Sequence, residues 1–242
     1  MVKITVSDKR NPIPQSLELS ENIKITTWGA IKVNKADFFP SSFQIKSGEK
    51  VIYIDPVEVD GTDKADYIFL THAHPDHLSL KDIHKIAGPE TVVVCSKGVE
   101  KKLARHNFQL RKVKPGDMLD LGDLKCKAVE AYNTKPVFLW IKAHPKSSEN
   151  VGYILTLSDQ TVIYHAGDTD YLPTMRDIKN TDVALIPVGG DNLTMNVEEA
   201  AAMVNTLKPK MVVPMHYELK VSDDINKFKS LTAGEIQVKV LQ

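Results

Sequence analysis

Short apolar runs, each closed by Gly, Pro, Asp or Ser, dominate the first part of the chain: "IKITTWGAIKV", "SSFQIKS", "KVIYIDP" and "DYIFLTH". Their Ile, Val, Tyr and Thr content and their length predict strands, with "SGE" and "DGTD" as the turns between them. At Ser79 the period changes. Leu80, Ile83, His84 and Ile86 roughly follow helical spacing, Ser79 with Asp82 has the form of a capping box, and "AGP" at 87–89 predicts the stop. The strand "TVVVC", a helix over "GVEKKLARHN" and strand-like pieces around "LKCKAVEAYN" follow. The second half has the same grammar, with strands at "VGYILTLS", "QTVIYHAGD" and "DVALIPVGG". Asn196 then caps a helix over "VEEAAAMVNTLK", with Glu199 at its third position, and "MVVPMH" reads as a further strand. With no linker rich in Gly, Ser or Pro, this order predicts one α/β layered domain over residues 1–242.

The polar residues that interrupt the apolar pattern fall at strand ends. "FLTHAHPDHLS", residues 69–79, holds His72, His74, Asp76 and His77; "VIYHAGDTD" reaches Asp168; "MVVPMHYE" reaches His216. C-terminal strand ends are the usual place for sites in α/β sheets. His72 and His74, two apart, share one side of an extended backbone, and Pro75 bends the chain before Asp76 and His77. Imidazole and carboxylate together suit Zn²⁺, and with more oxygen donors Mn²⁺ or Fe²⁺. Taken singly, His216 reads as a solvated side chain and Asp168 as the start of an Asx turn. The 72–77 cluster resists such a reading, because desolvating three imidazoles and a carboxylate together is costly without a metal. Asp168 is the candidate bridge between two ions about 3.5 to 4 Å apart. His84 and His106 lie among Lys and Arg and read as surface or satisfied core residues, whereas His165 reads either as a partner that orients a ligand from behind or as simple core packing.

Composition narrows the alternatives. Lys plus Arg (31) balances Asp plus Glu (31), so no bulk charge marks a nucleic-acid or membrane binder. The N-terminal "MVKITVSDKRNPIPQSLELS" lacks the apolar core of a signal peptide, and no apolar run approaches the roughly 18 residues of a membrane span. A cytoplasmic protein is expected, with a small-molecule substrate, no membrane and no nucleic acid as partners; a homo-oligomer is compatible with the sequence. Cys95 and Cys126 are too sparse for a disulfide scaffold and read as structural thiols.

The run His72-x-His74-x-Asp76-His77, then "HAGDTD" and "PMHY", resembles the metallo-β-lactamase superfamily, and the likeness extends over nearly the whole chain. "SGEKVIYIDP" resembles that family's early strand pair, while "DVALIPVGG" and "NVEEAAAMVNTLKPKMVVPMHY" resemble its branch of metal-dependent hydrolases that includes the ascorbate-6-phosphate lactonase-like proteins. The resemblance implies an αββα sandwich, two mixed β-sheets flanked by helices, with two divalent ions, Zn foremost and Mn or Fe as alternatives. By position, His72 and His74 would bind one ion, Asp76, His77 and His216 the other, and Asp168 would bridge. Members of the branch carry a further His before the bridging Asp; this chain has "AYNTKP", with Asn133 in that place, and its other His in the interval is His144. Either His144 completes the first shell, or Asn133 is an oxygen donor and His144 contacts substrate. Relatives also show Gly-His-Ser after the first strand, which is absent from "TTWGAIKVNKADFFPSS".

The implied chemistry is hydrolysis by a water whose pKa two ions lower from near 15.7 towards about 7, with Asp76 orienting the nucleophile. Lys135 and Lys146 flank the candidate third motif and, with Asn133, are candidates to receive a phosphate or carboxylate; Phe138 and Trp140 in "VFLW" offer an apolar lip. A small anionic ester, lactone or phosphodiester fits these features. The alternatives are a metal-binding sensor or interaction domain of the same fold with little hydrolytic activity, and a nucleic-acid-processing phosphodiesterase.

Overall fold

The structure is a computed structural model and describes residues 4–8, 14–220 and 222–241. Part of the N-terminal stretch read above for a leader lies outside them. The chain forms two compact units, one built from the chain up to Val113 and the other from Lys114–Val240.

The first unit holds a seven-stranded mixed sheet in the order Gln109–Val113, Ala87–Ser96, Ala65–Leu70, Lys50–Ile54, Phe43–Ser47, Ile23–Thr27, Gln15–Ser20. The first four run parallel and the rest antiparallel. Burial follows that division. Ala65–Leu70 is buried at five of its six positions, whereas the edge strand Gln15–Ser20 alternates half-buried and exposed, as parallel interior and antiparallel edge strands do. The helices Leu80–Ile86 and Lys97–Leu103 bury Ile83, Ile86, Val99 and Leu103 with Ile68 and Val93.

The second unit repeats the plan: Met118–Asp120, Leu124–Glu130, Val151–Leu157, Val162–His165, Val183–Pro187, Met211–Met215, Gln237–Val238. Here the first three pairings are antiparallel and the last three parallel. Helix Val197–Leu207 starts at Asn196, whose side chain accepts from the Glu199 N–H while Glu199 returns to the Asn196 N–H. Helix Ser222–Leu231 is tied to it through Asn205, which donates to the Leu231 carbonyl and accepts from the Ala233 N–H.

Three local differences from the sequence reading have physical reasons. Helix Leu80–Ile86 does stop before "AGP", but Ala87 and Gly88 enter a strand directly because the Thr91 hydroxyl accepts from the Gly88 N–H and donates to the Ala65 carbonyl. The helix at 97 ends at Leu103, short of "ARHN"; the one apolar side chain of those four residues, Ala104, is small and exposed, and a turn from Leu103 to His106 replaces the helix. The helix Ser222–Leu231 has no counterpart in the reading above. No helix among the described residues is long and apolar enough to cross a membrane.

Candidate metal centre

In the first unit, Asp55 and Thr71 follow two adjacent parallel strands, Lys50–Ile54 and Ala65–Leu70. Both are fully buried. Asp55 accepts from the Thr71 N–H at 2.8 Å, from the Thr71 hydroxyl at 2.6 Å and from His77 Nδ1 at 2.7 Å. Because the Thr71 hydroxyl spends its only proton on Asp55, it must accept from His72 Nδ1, 2.9 Å away. One buried carboxylate therefore fixes two imidazoles in the same tautomer, with Nε2 left as the lone-pair donor.

The turn after His72 sets the remaining positions. His77 N–H and Leu78 N–H both donate to the His74 carbonyl, folding the chain around Pro75. The His72 ring lies 4.8 Å from that of His74 and 4.0 Å from that of His77, and His77 Nε2 is 3.7 Å from Asp76 Oδ2. His74 is exposed and Asp76 half-buried.

In the second unit the carboxylate at the centre is Asp168, buried at the end of Val162–His165. Its Oδ2 is 3.2 Å from His216 Nε2 and 3.5 Å from His144 Nε2. Two glycines let backbone approach here. A Cβ on Gly152 would lie 2.7 Å from the Ala166 carbonyl oxygen, and one on Gly189 would lie 2.2 Å from that of His216.

Asn133 and His144 are partners in the structure. Asn133 Oδ1 accepts from His144 N–H at 3.0 Å and from His144 Nδ1 at 2.8 Å, while Asn133 Nδ2 donates to Asp170 Oδ1 and to the Leu193 carbonyl, each at 3.0 Å. The amide is buried and spent on both sides, which fixes the His144 tautomer as Asp55 fixes that of His77. His165 has the opposite tautomer: its Nδ1 accepts from the Gly167 N–H at 3.1 Å, so Nε2 carries the proton. It shapes the loop that presents Asp168.

The lysines singled out in the sequence are already engaged. Lys146 sits 2.8 Å from Glu130 and 4.9 Å over the Tyr132 ring; this hydrogen bond holds Glu130 below the usual carboxylate range and pushes Lys146 up. Lys135 pairs with Glu199, which likewise raises it. A cleft of about 240 Å³ lies beside Glu130, Tyr132 and Lys146. His84 and His106 form an exposed pair, 3.1 Å apart, away from these groups in the contacts they make.

Three contributors escaped the sequence reading. Asp55 stood in the quoted "YIDP", and its position at a strand end beside the histidine strand was the available signal. Thr71 lay between the apolar run and His72. Asp170, the second acid of "GDTD", accepts from Thr134 N–H, the Thr134 hydroxyl and the Asn133 amide, and so anchors the segment that leads to His144.

Two large mixed sheets with few helices, and histidine–aspartate sets at their parallel strand ends, define a metallo-β-lactamase fold, and the beta-lactamase superfamily domain matches residues 38–216. Within it the chain belongs to the UPF0173 family of metal-dependent hydrolases. It is 32% identical over 218 residues to the UPF0173 metal-dependent hydrolase of Staphylococcus saprophyticus, covering 79% of this chain and 90% of that protein. It also resembles the solved structure of Igni18, a metallo hydrolase from Ignicoccus hospitalis, at 27% identity and TM-score 0.67, over 85% of this chain and 93% of that one. A solved candidate metal-dependent hydrolase from Parabacteroides distasonis gives 29% identity and TM-score 0.75, over 95% and 98%.

Proposed function

We propose that this chain is a hydrolase with a dinuclear metal centre, in which His72, His74 and His144 hold one ion, Asp76, His77 and His216 hold the other, and Asp168 bridges. The observation that carries this is the spacing of donor atoms within each unit: 3.2 and 3.5 Å from Asp168 Oδ2 to His216 and His144 Nε2, and 3.7 Å from Asp76 Oδ2 to His77 Nε2. A charge-assisted hydrogen bond would close to about 2.7–2.9 Å. Neighbouring ligands on a tetrahedral ion at about 2.0–2.1 Å stand about 3.3 Å apart. The donors fit such a shell, and the tautomers of His72, His77 and His144 turn Nε2 to it.

The ions, Zn²⁺ foremost and Mn²⁺ or Fe²⁺ as alternatives, supply Lewis acidity and a lowered pKa for water. The residues do the rest. Asp76 is the group that orients the attacking water, Asp55 and Asn133 hold imidazoles in register, and Asp170 fixes the approach to His144. Because its amide is spent within the protein, Asn133 is assigned a positioning role in place of substrate contact. Lys135 and Lys146 are neutralised by Glu199 and Glu130, so they favour an anionic substrate only weakly. The substrate class is a small ester, lactone or phosphodiester.

The test is metal content by mass spectrometry together with turnover of matched neutral and anionic esters, lactones and phosphodiesters. About two ions per chain with metal-restored turnover supports the reading. Metal without turnover of any class overturns the hydrolase; fewer than about one ion per chain after Zn²⁺ or Mn²⁺ loading overturns the centre.

A further inference from the structure

Between Asn133 and His144 the chain makes a protruding excursion whose tip is apolar on every side. Phe138 is 66% exposed, Leu139 63% and Trp140 80%, and Val137 and Ile141 beside them are exposed too. Five consecutive apolar residues in water demand a reason, since exposed apolar clusters mark surfaces that are covered in use. The excursion is built, not frayed. Its root is closed by the Asn133 N–H bond to the His144 carbonyl, by Asn133 Oδ1 bound to His144, and by Asn192 donating to the Pro136 carbonyl. Its tip is a tight hairpin in which Val137 N–H and Ile141 N–H donate to the Ile141 and Phe138 carbonyls, and Leu139 takes a positive φ of 49° to make the turn.

We propose that this hairpin docks the protein peripherally on an anionic lipid bilayer, with Phe138, Leu139 and Trp140 entering the interface. Three features select a bilayer. A strand or helix that docks in a protein groove offers one apolar face and keeps the other polar, whereas here successive residues are apolar whichever way they point, which suits an isotropic apolar medium. The hairpin ties the Val137, Phe138 and Ile141 N–H groups internally, which lowers the cost of bringing its backbone to lipid. The residues are interfacial in kind, with Trp and Phe at the tip. Charge complements this. Residues 134–146 contain Lys135, Lys142 and Lys146 and no acid. Lys142 has no ion pair among the described residues and supplies the free cation beside the tip, whereas Lys135 and Lys146, held by Glu199 and Glu130, add little to the attraction. That no helix among the described residues is long and apolar enough to span a membrane does not bear on such contact, and the expectation of no membrane partner is the part of the sequence reading that this inference revises. It is independent of the hydrolytic reading.

The test uses the full chain with vesicles of phosphatidylcholine alone and of equimolar phosphatidylcholine and phosphatidylglycerol, read by co-sedimentation and tryptophan emission. The chain has two tryptophans. Trp28 is buried and stacked on Tyr53, so a change in emission reports Trp140. The expected result is binding to the anionic vesicles with a blue shift. Trp140→Ser should weaken binding by about tenfold or more through lost apolar burial, and Lys142→Gln by about fivefold through one lost charge. Both variants alter exposed or half-buried positions, and unchanged thermal unfolding confirms that they fold. Equal binding to both vesicle types overturns the anionic source. Absence of vesicle binding overturns the proposal, whether the chain stays monomeric or forms a dimer that Trp140→Ser dissolves, which would assign the tip to a second copy.

Discussion

Asp55 and Asn133 act on the candidate centre through protons, each deciding which nitrogen of an imidazole is left to bind. The two do so by different means. Asp55 carries charge and reaches His77 directly and His72 through Thr71; Asn133 is neutral and holds only His144. Thr71→Val keeps the shape of that side chain but removes the hydroxyl between Asp55 and His72. Metal affinity, measured by competition with a chelating dye, is expected to fall about 10- to 100-fold, at a cost in stability of about 2–3 kcal/mol, because a buried carboxylate loses a donor and His72 Nδ1 its acceptor. An unchanged affinity would remove Thr71 from the account. Asn133→Ala should also weaken metal binding about tenfold or more, because His144 then loses the acceptor that fixes its ring; full retention in that variant would make Asn133 merely a loop anchor. At this scale the sequence was legible where donors cluster along the chain, as at 72–77, and illegible where partners are distant in it. Asp55 is 22 residues from His77 and Asp170 is 37 from Asn133, and no local pattern announces either pairing.

Elements were readable where apolar period and capping agreed. Asn196 with Glu199 marks the start of Val197–Leu207, and Ser79 with Asp82 marks Leu80–Ile86, where the Ser79 side chain accepts from the Asp82 N–H. Even there the roles shifted: the Asp82 carboxylate turns to the Glu58 and Val59 N–H groups of a neighbouring loop, a tertiary demand that the capping pattern cannot foretell. Helix Ser222–Leu231 was missed because its segment, "SDDINKFKSL", has few apolar residues and is held by the burial of Ile225 and Phe228 and by the Asn205 bond to the Leu231 carbonyl. "VGG" was read only as the end of a strand, yet Gly189 is where the loop after Val183–Pro187 meets the His216 backbone. Gly189→Ala would force apart atoms that a Cβ brings to 2.2 Å. The backbone has to shift, at a cost of about 1–3 kcal/mol. Since His216 already holds a positive φ of 51°, the displaced atom belongs to a strained ligand candidate. Thermal unfolding should register the loss, and metal content should fall with it. A stable variant with full metal content would show that the loop relaxes freely and that Gly189 does not hold His216 in place.

The whole molecule carries no net charge by residue count, so its response to pH depends on particular buried groups and not on general repulsion. Burial pushes the Cys95 and Cys126 thiols from 9.0 up to about 12, pushes Tyr53 from 10.0 to about 12, and raises Tyr164 further. All four are neutral when protonated, and in an unfolded chain they lose their protons near pH 9–10. A folded-state pKa raised above the unfolded one stabilises fully below the unfolded value and loses that contribution as pH rises through the folded one. Between about pH 9 and 12 the folded chain therefore holds protons that the unfolded chain has released, and stability falls by up to about 1.4 kcal/mol per pH unit for each group. Each compact unit contains one of the thiols and one of the tyrosines, so both should weaken over the same window. Urea midpoints should be level from about pH 7 to 8.5 and then fall steeply, and Cys126→Ala should flatten the alkaline slope by close to one proton, whatever it does to the midpoint at neutral pH. A profile that stays level to about pH 11 would mean that these groups are as free to ionise in the folded chain as in the unfolded one, against the full burial of Cys95 and Tyr164.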